Sequence, residues 1–138
     1  MTVVHGKNLD HKVVATAIES ATRSVTVNMD TDIVETTAAG ATAKAHVAGL
    51  YNWGMDADYV WNPVAAMQDP VVFGILTSGA QTVQVVPGGG TVSADNPIFK
   101  GSAILKSYSI TVPYDGIVTA RASYAGTGTL NRYTSGTF

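Results

Sequence analysis

Few side chains in this chain could do chemistry, and their spacing decides what each is worth. The three histidines are His5, His11 and His46. No two stand four apart on a helix or at another tight metal spacing, so they read as exposed, structural residues rather than ligands. Asp56 and Asp58 are a carboxylate pair two residues apart. Glycoside hydrolysis needs two carboxyls facing each other across a substrate, which neighbours on one face of one strand do not provide. A solvated strand face is the better account. Gly88-Gly89-Gly90 and Gly126-Thr127-Gly128 are glycine-rich, but neither runs into Gly-Lys-Ser/Thr or matches the dinucleotide fingerprint, so they read as turns and loops. No serine sits in a nucleophile elbow, and no acid, base and nucleophile can be named together. The aromatics Trp53, Tyr59, Trp61, Phe73, Tyr108 and Tyr124 could stack on bases, but no cluster of lysine or arginine accompanies them, so core packing explains them better. The expectation is no enzyme, no cofactor and no metal.

The elements that position these residues are mostly strands. His11–Ile18 is apolar and β-branched and reads as a first strand, with Glu19–Thr22 as a turn. Arg23–Met29 alternates Val25, Val27 and Met29 against Ser24, Thr26 and Asn28, the period of a half-buried strand. Asp30–His46 loses the alternation and becomes Thr-, Ala- and Gly-rich. It is long for a hairpin loop, and long loops in small domains usually carry function or are disordered; it reads as an extended arm. Tyr51–Trp61 alternates most cleanly, with Tyr51, Trp53, Met55, Ala57, Tyr59 and Trp61 on one face and Asn52, Gly54, Asp56, Asp58 and Val60 on the other. One helix is expected over Pro70–Ser78, capped by Asp69 and closed by Gly79. Its apolar face would comprise Val71 and Ile75, with Val72 and Leu76 beside them.

Gln81–Val86 is a strand and Pro87–Gly90 a loop. Asn96-Pro97 opens a long closing hairpin that turns at Pro113-Tyr114-Asp115-Gly116, where Pro presets φ and Gly accepts a positive φ. On its first strand Ile104, Tyr108, Ile110 and Val112 should share a face opposite Ala103, Ser107, Ser109 and Thr111. On its second, Val118, Ala120, Ala122 and Tyr124 alternate with Thr119, Arg121 and Ser123. The fold expected is mainly β, a small sandwich or barrel with one flanking α-helix and a long extended loop, in a single domain over residues 1–138.

Composition narrows the function. Charged residues are 13% of the 138, against about 25% in average soluble proteins. Mean hydropathy is +0.17. Interface cores are depleted in charge, so a large self-association surface is the natural reading, with an unusually neutral monomer as the alternative. Net charge is −2 and the eight basic residues are scattered, leaving no footprint for tight phosphate binding. Cysteine is absent, which removes disulfides, thiolate metal sites and cysteine nucleophiles. The opening MTVVHGKNLDHK lacks the charged and apolar regions of a signal peptide. No apolar run approaches bilayer length, so no membrane insertion is expected.

Two segments resemble phage tail tube (major tail) proteins. Val34–Asn62 is similar to the pattern in which an acidic residue and Thr-Thr precede a Gly, then a Thr-Ala-Lys element, then a Gly before a strand. Here these are Glu35, Thr36, Thr37, Gly40, Thr42-Ala43-Lys44 and Gly49. The second is the Gly101–Leu130 hairpin ending in Gly126-Thr127-Gly128. Ala39, Ala41 and Thr42 replace the family's bulkier residue and acidic pair around Gly40. The resemblance implies hexameric rings stacked into a hollow virion tail tube through which DNA passes at ejection. It implies a tape-measure protein, tail tip and terminator as partners, and synthesis in the host cytoplasm. It makes an assembly arm of about residues 30–48, with Asp32, Glu35, Thr36, Thr37, Gly40, Thr42 and Lys44, that reaches an adjacent subunit or ring. Asp56, Asp58 and Lys106 become candidates for the channel lining. Competing readings are a tail terminator, connector or type VI secretion tube protein, and a carbohydrate- or ligand-binding sandwich using Trp53, Trp61 or Tyr51 as a platform.

Overall fold

The computed structural model describes Lys7 and residues 9–14, 16–65, 67–90 and 92–135. The strands are β1 (Asp10–Val13), β2 (Thr16–Ala17), β3 (Thr22–Glu35), β4 (His46–Val60), β5 (Gln81–Val86), β6 (Ile98–Thr111) and β7 (Thr119–Tyr133). One helix, α1 (Gln68–Gly74), lies between β4 and β5. The strands form one antiparallel sheet in the order β2-β1-β5-β6-β7-β4-β3. The chain is therefore mainly β with one flanking helix, as its alternation and turn chemistry imply.

The sheet curls so that its two ends approach each other. Val25 and Val27 of β3 pack on the core that Val83 and Val85 of β5 also build. An apolar groove of about 330 Å³, lined by Val25, Val27, Met29, Val85 and Phe99 among others, separates them. Inside the curl lie Met55, Ala57 and Tyr59 of β4 and Ala120, Ala122 and Tyr124 of β7, all nearly inaccessible. Those two alternations fall on the faces the sequence assigns them. Val72 and Ile75 close one side of this core.

Four elements depart from expectation. The first hydrophobic segment breaks into β1 and β2, because Val14 takes a positive φ of 54°. The helix begins at Gln68 and has no side-chain cap. Asp69 stands inside its first turn, where its carboxylate accepts the Tyr108 hydroxyl at 2.7 Å. The helix ends at Gly74, so Leu76 is exposed, and Gly79 still adopts the left-handed φ of 76°. On β6, Ala103 and Leu105 are buried and Ile104 is exposed. Between Leu105↔Tyr124 and Ser107↔Ser123 β6 carries one added residue, Lys106, and it flips the face of the residues after it. Tyr108 therefore shares a face with Leu105 rather than with Ile104. Val112 lies beyond the strand and is exposed.

The fourth departure is the arm. Residues 30–35 and 46–48 belong to paired strands rather than loop: β3 and β4 pair from Ser24↔Asp58 to Thr31↔Tyr51, then from Ile33↔Ala48 to Glu35↔His46. The lost alternation has two causes. Asp32 sits in a register shift between Thr31 and Ile33. Both faces of this stretch are exposed, so no buried face imposes a period of two.

Candidate assembly surfaces

Two features of the sheet could serve as functional surfaces, the projecting hairpin and the polar outer face of β3, β4, β7 and β6. The hairpin projects because its neighbour stops early. β4 pairs with β7 only from Val60↔Thr119 to Gly54↔Ala125, while β3 and β4 continue to Glu35↔His46. The overhanging strands are β-branched and apolar at many positions, which favours strand geometry. Ile33, Val34, Val47 and Leu50 all stand in solvent, Leu50 at 83% exposure.

The tip, residues 36–45, is closed by its own hydrogen bonds. The Thr36 N–H donates to the Ala45 carbonyl at 2.8 Å, and the Ala45 N–H donates to Thr37 Oγ1 at 2.8 Å. The Ala41 N–H donates to the Ala38 carbonyl at 3.2 Å. Gly40 holds φ of 87°, a left-handed conformation that side chains oppose. Thr37 and Gly40 therefore have local structural roles within the tip. Glu35 ends β3, and Thr42 and Lys44 lie exposed in the tip. All seven arm residues fall on this one hairpin.

The polar face brings the channel-lining candidates together. Asp56 Oδ1 accepts the Ser123 hydroxyl at 2.7 Å, and its Oδ2 accepts the Asn28 amide at 3.1 Å. Asp58 Oδ2 accepts the Ser24 hydroxyl at 3.1 Å, and Arg121 Nε approaches its Oδ1 at 3.7 Å. Lys106 lines the same shallow depression as Asp30, Asp56 and Ser123. Asp58 lines a second, about 450 Å³, with Arg23, Ser109 and Arg121. Across both depressions Asp30, Asp56 and Asp58 balance Arg23, Lys106 and Arg121, so the face carries no formal net charge. Exposed ion pairs of this kind add little stability. Their effect is to leave a wettable surface without a strong field.

Beneath that face runs a buried polar chain to which the sequence gives no clue. His11 is fully buried between Tyr59 and the β5 backbone; it is not the exposed residue its spacing implied. Its Nδ1–H donates to the Gln84 carbonyl at 3.0 Å, which leaves Nε2 to accept the Tyr59 hydroxyl at 2.8 Å. Tyr59 Oη lies 3.0 Å from Tyr124 Oη. Burial lowers the His11 pKa from 6.5 to about 4, partly offset by the Gln84 carbonyl. Burial also raises Tyr59, and it pushes Tyr124 up to about 12, so both stay protonated. The pattern around His11 carries no signal that would mark a buried histidine. A second network ties α1 to β6. The Gln68 amide donates to the Tyr108 hydroxyl at 3.0 Å and that hydroxyl donates to Asp69. The first network is buried and the second partly buried, and both read as structural.

Of the other histidines, His46 is exposed at the start of β4, and His5 lies outside the described residues. Among the described residues no cluster of His, Asp or Glu could hold a metal. Neither tryptophan forms an open platform: Trp53 is 6% exposed and Trp61 packs against the core.

The sequence matches no protein-family model and no curated protein. The fold, by contrast, matches solved structures along nearly its whole length. A chain of the native gene transfer agent virion superposes with TM-score 0.77 over 94% of this chain and 98% of that one, at 17% identity. A related structure, the tail of the empty gene transfer agent particle refined with C6 symmetry, gives 0.69 at 17% identity over 83% of each chain. The SPP1 tail tube gives 0.75 over 96% of this chain and 80% of that one, at 9% identity. The tube-terminating cap of the anti-feeding prophage gives 0.74 at 7% identity, over 98% and 93%. The chain thus has the fold shared by tube and tail components of virions and injection systems.

Proposed function

We propose that this chain is a tail tube subunit: copies close into six-membered rings, and the rings stack into a hollow conduit through which DNA leaves the virion. The observation that carries the proposal is the likeness to the SPP1 tail tube over 96% of this chain and 80% of that one, beside the match to a gene transfer agent virion chain over almost the full length of both chains. The surfaces agree with it. A projecting hairpin with apolar residues on both strands is costly in a monomer and useful in a polymer. A polar face without net charge would hydrate a bore and hold a polyanion weakly, since tight phosphate binding needs clustered cations. In this reading Asp56, Asp58 and Lys106 line the bore. Asp32, Glu35, Thr36, Thr37, Gly40, Thr42 and Lys44 belong to the arm that touches a second copy. A tape-measure protein, a tail tip and a terminator are the partners, and the subunit is made in the host cytoplasm before joining the tail.

Negative-stain microscopy of the purified chain, with size exclusion, tests this. Long hollow tubes or stacked six-fold rings are expected. A chain that stays monomeric even when tail-tip components are supplied would count against it. A second reading, a tube-terminating cap, is favoured by the match to the anti-feeding prophage cap. It predicts one closed ring that binds a tube end and never polymerises.

A further inference from the structure

We infer that Trp53 is a wedge that fixes the direction in which the β3–β4 arm leaves the sheet, and that assembly depends on that direction. The inference rests on the reading of the arm as a contact between copies. The sheet forks at this residue. The β4–β7 ladder stops at Gly54↔Ala125, whereas β7 continues beside β6 as far as Ile98↔Tyr133. Trp53 is the first residue beyond the last rung, and its indole fills the fork.

The fork is shaped to take that ring. The indole lies on the bare backbone of two glycines, Gly126 on β7 and Gly101 on β6. A Cβ on Gly101 would stand 2.5 Å from Trp53 Cζ2, and one on Gly126 would overlap the ring itself. The indole N–H donates to the Gly128 carbonyl at 3.2 Å, and Gly128 holds a positive φ of 79°. A second brace stands two residues along β4, where the Leu130 N–H donates to the Tyr51 hydroxyl at 3.2 Å. The Gly126-Thr127-Gly128 element thus acts as the seat of a tryptophan.

Beyond the brace, β4 has only β3 for a partner. A free two-stranded ribbon is marginally stable and strongly twisted, so its direction is set at its root. Residues 46–53 of β4 reach about 26 Å at the ordinary strand rise, so a tilt of about 10° at the root displaces the tip by roughly 4 to 5 Å. Side-chain contact is lost over that distance.

The chain contains no cysteine, so Ala41→Cys at the arm tip and Asp115→Cys in the β6–β7 turn can carry a unique pair of spin labels. The interlabel distance is read on monomer at low concentration, and tube formation is scored separately by microscopy. The parent pair should give one narrow distance. Trp53→Leu and Gly126→Ala should each shift or broaden it and cut the polymerised fraction at least tenfold, while unfolding stays a single cooperative transition. Should Gly126→Ala fail to fold, Trp53→Phe keeps a ring and drops the bond to Gly128, and should broaden the distance partially. Parent-like distances in the folded variants overturn the wedge. A displaced arm with undiminished tubes overturns its link to assembly. A parent chain that makes no tubes overturns the proposed function and that link together, while the monomer distance still decides the wedge.

Discussion

Acid should weaken this fold through one residue. His11 is fully buried, with Nδ1–H committed to the Gln84 carbonyl and Nε2 to the Tyr59 hydroxyl. Protonating Nε2 would break the Tyr59 bond and place a charge in the core. Burial therefore depresses the folded pKa from 6.5 to about 4. The sign comes from linkage. Between these values the unfolded chain binds a proton that the folded chain refuses, so stability is full above about pH 6.5 and falls toward pH 4. With 1.36 kcal/mol for each pKa step, the loss is about 3 kcal/mol below both values, of which about 2.5 is reached by pH 4.5. That is a large share of the 5–15 kcal/mol typical of a domain. Urea midpoints measured from pH 7.5 to 4.5 read it directly. His11→Gln keeps one donor and one acceptor but does not titrate in this range, so its midpoint should lose most of that slope. A wild-type midpoint that is flat over this range would refute the reasoning. So would an equal slope in the variant, which would place the acid sensitivity on other groups.

The same geometry sets three further outcomes. Tyr108→Phe removes the hydroxyl that joins Gln68 and Asp69 and leaves a buried amide without its acceptor, so thermal melts should show a loss of about 1–3 kcal/mol. Gly40→Ala forces a side chain into the left-handed region; it should cost about 1–2 kcal/mol locally, seen as faster amide exchange at Ala45 with little change in global stability. Leu50→Asp puts a charge on the exposed arm; stability should stay within about 0.5 kcal/mol, while sedimentation should show assembly lost.

The strands of the core are legible in the sequence because a buried face imposes a period of two. Met55-Ala57-Tyr59 and Ala120-Ala122-Tyr124 show it, and both faces fall where the alternation puts them. The Asp56–Asp58 face is legible for the same reason. Bulges are not. The extra residue at Lys106 reverses the face of β6, and the residue type there does not announce it. The arm is recognisable as a distinct segment but reads as loop, because a hairpin exposed on both sides carries no periodicity. The seat of Trp53 is hidden because it joins three strands: Gly101, Gly126 and Trp53 are far apart in sequence, and each glycine reads locally as turn or bulge. His11 is hidden because its burial depends on β4 and β5 covering it, which the segment around it does not encode.

The most direct test of the account is a helical cryo-electron microscopy reconstruction of the assembled chain. It should show a six-fold hollow tube with Asp56, Asp58 and Lys106 on the bore and the 36–45 tip seated against another copy. A tube whose bore is lined by a different face, or assemblies in which that tip touches nothing, would contradict it.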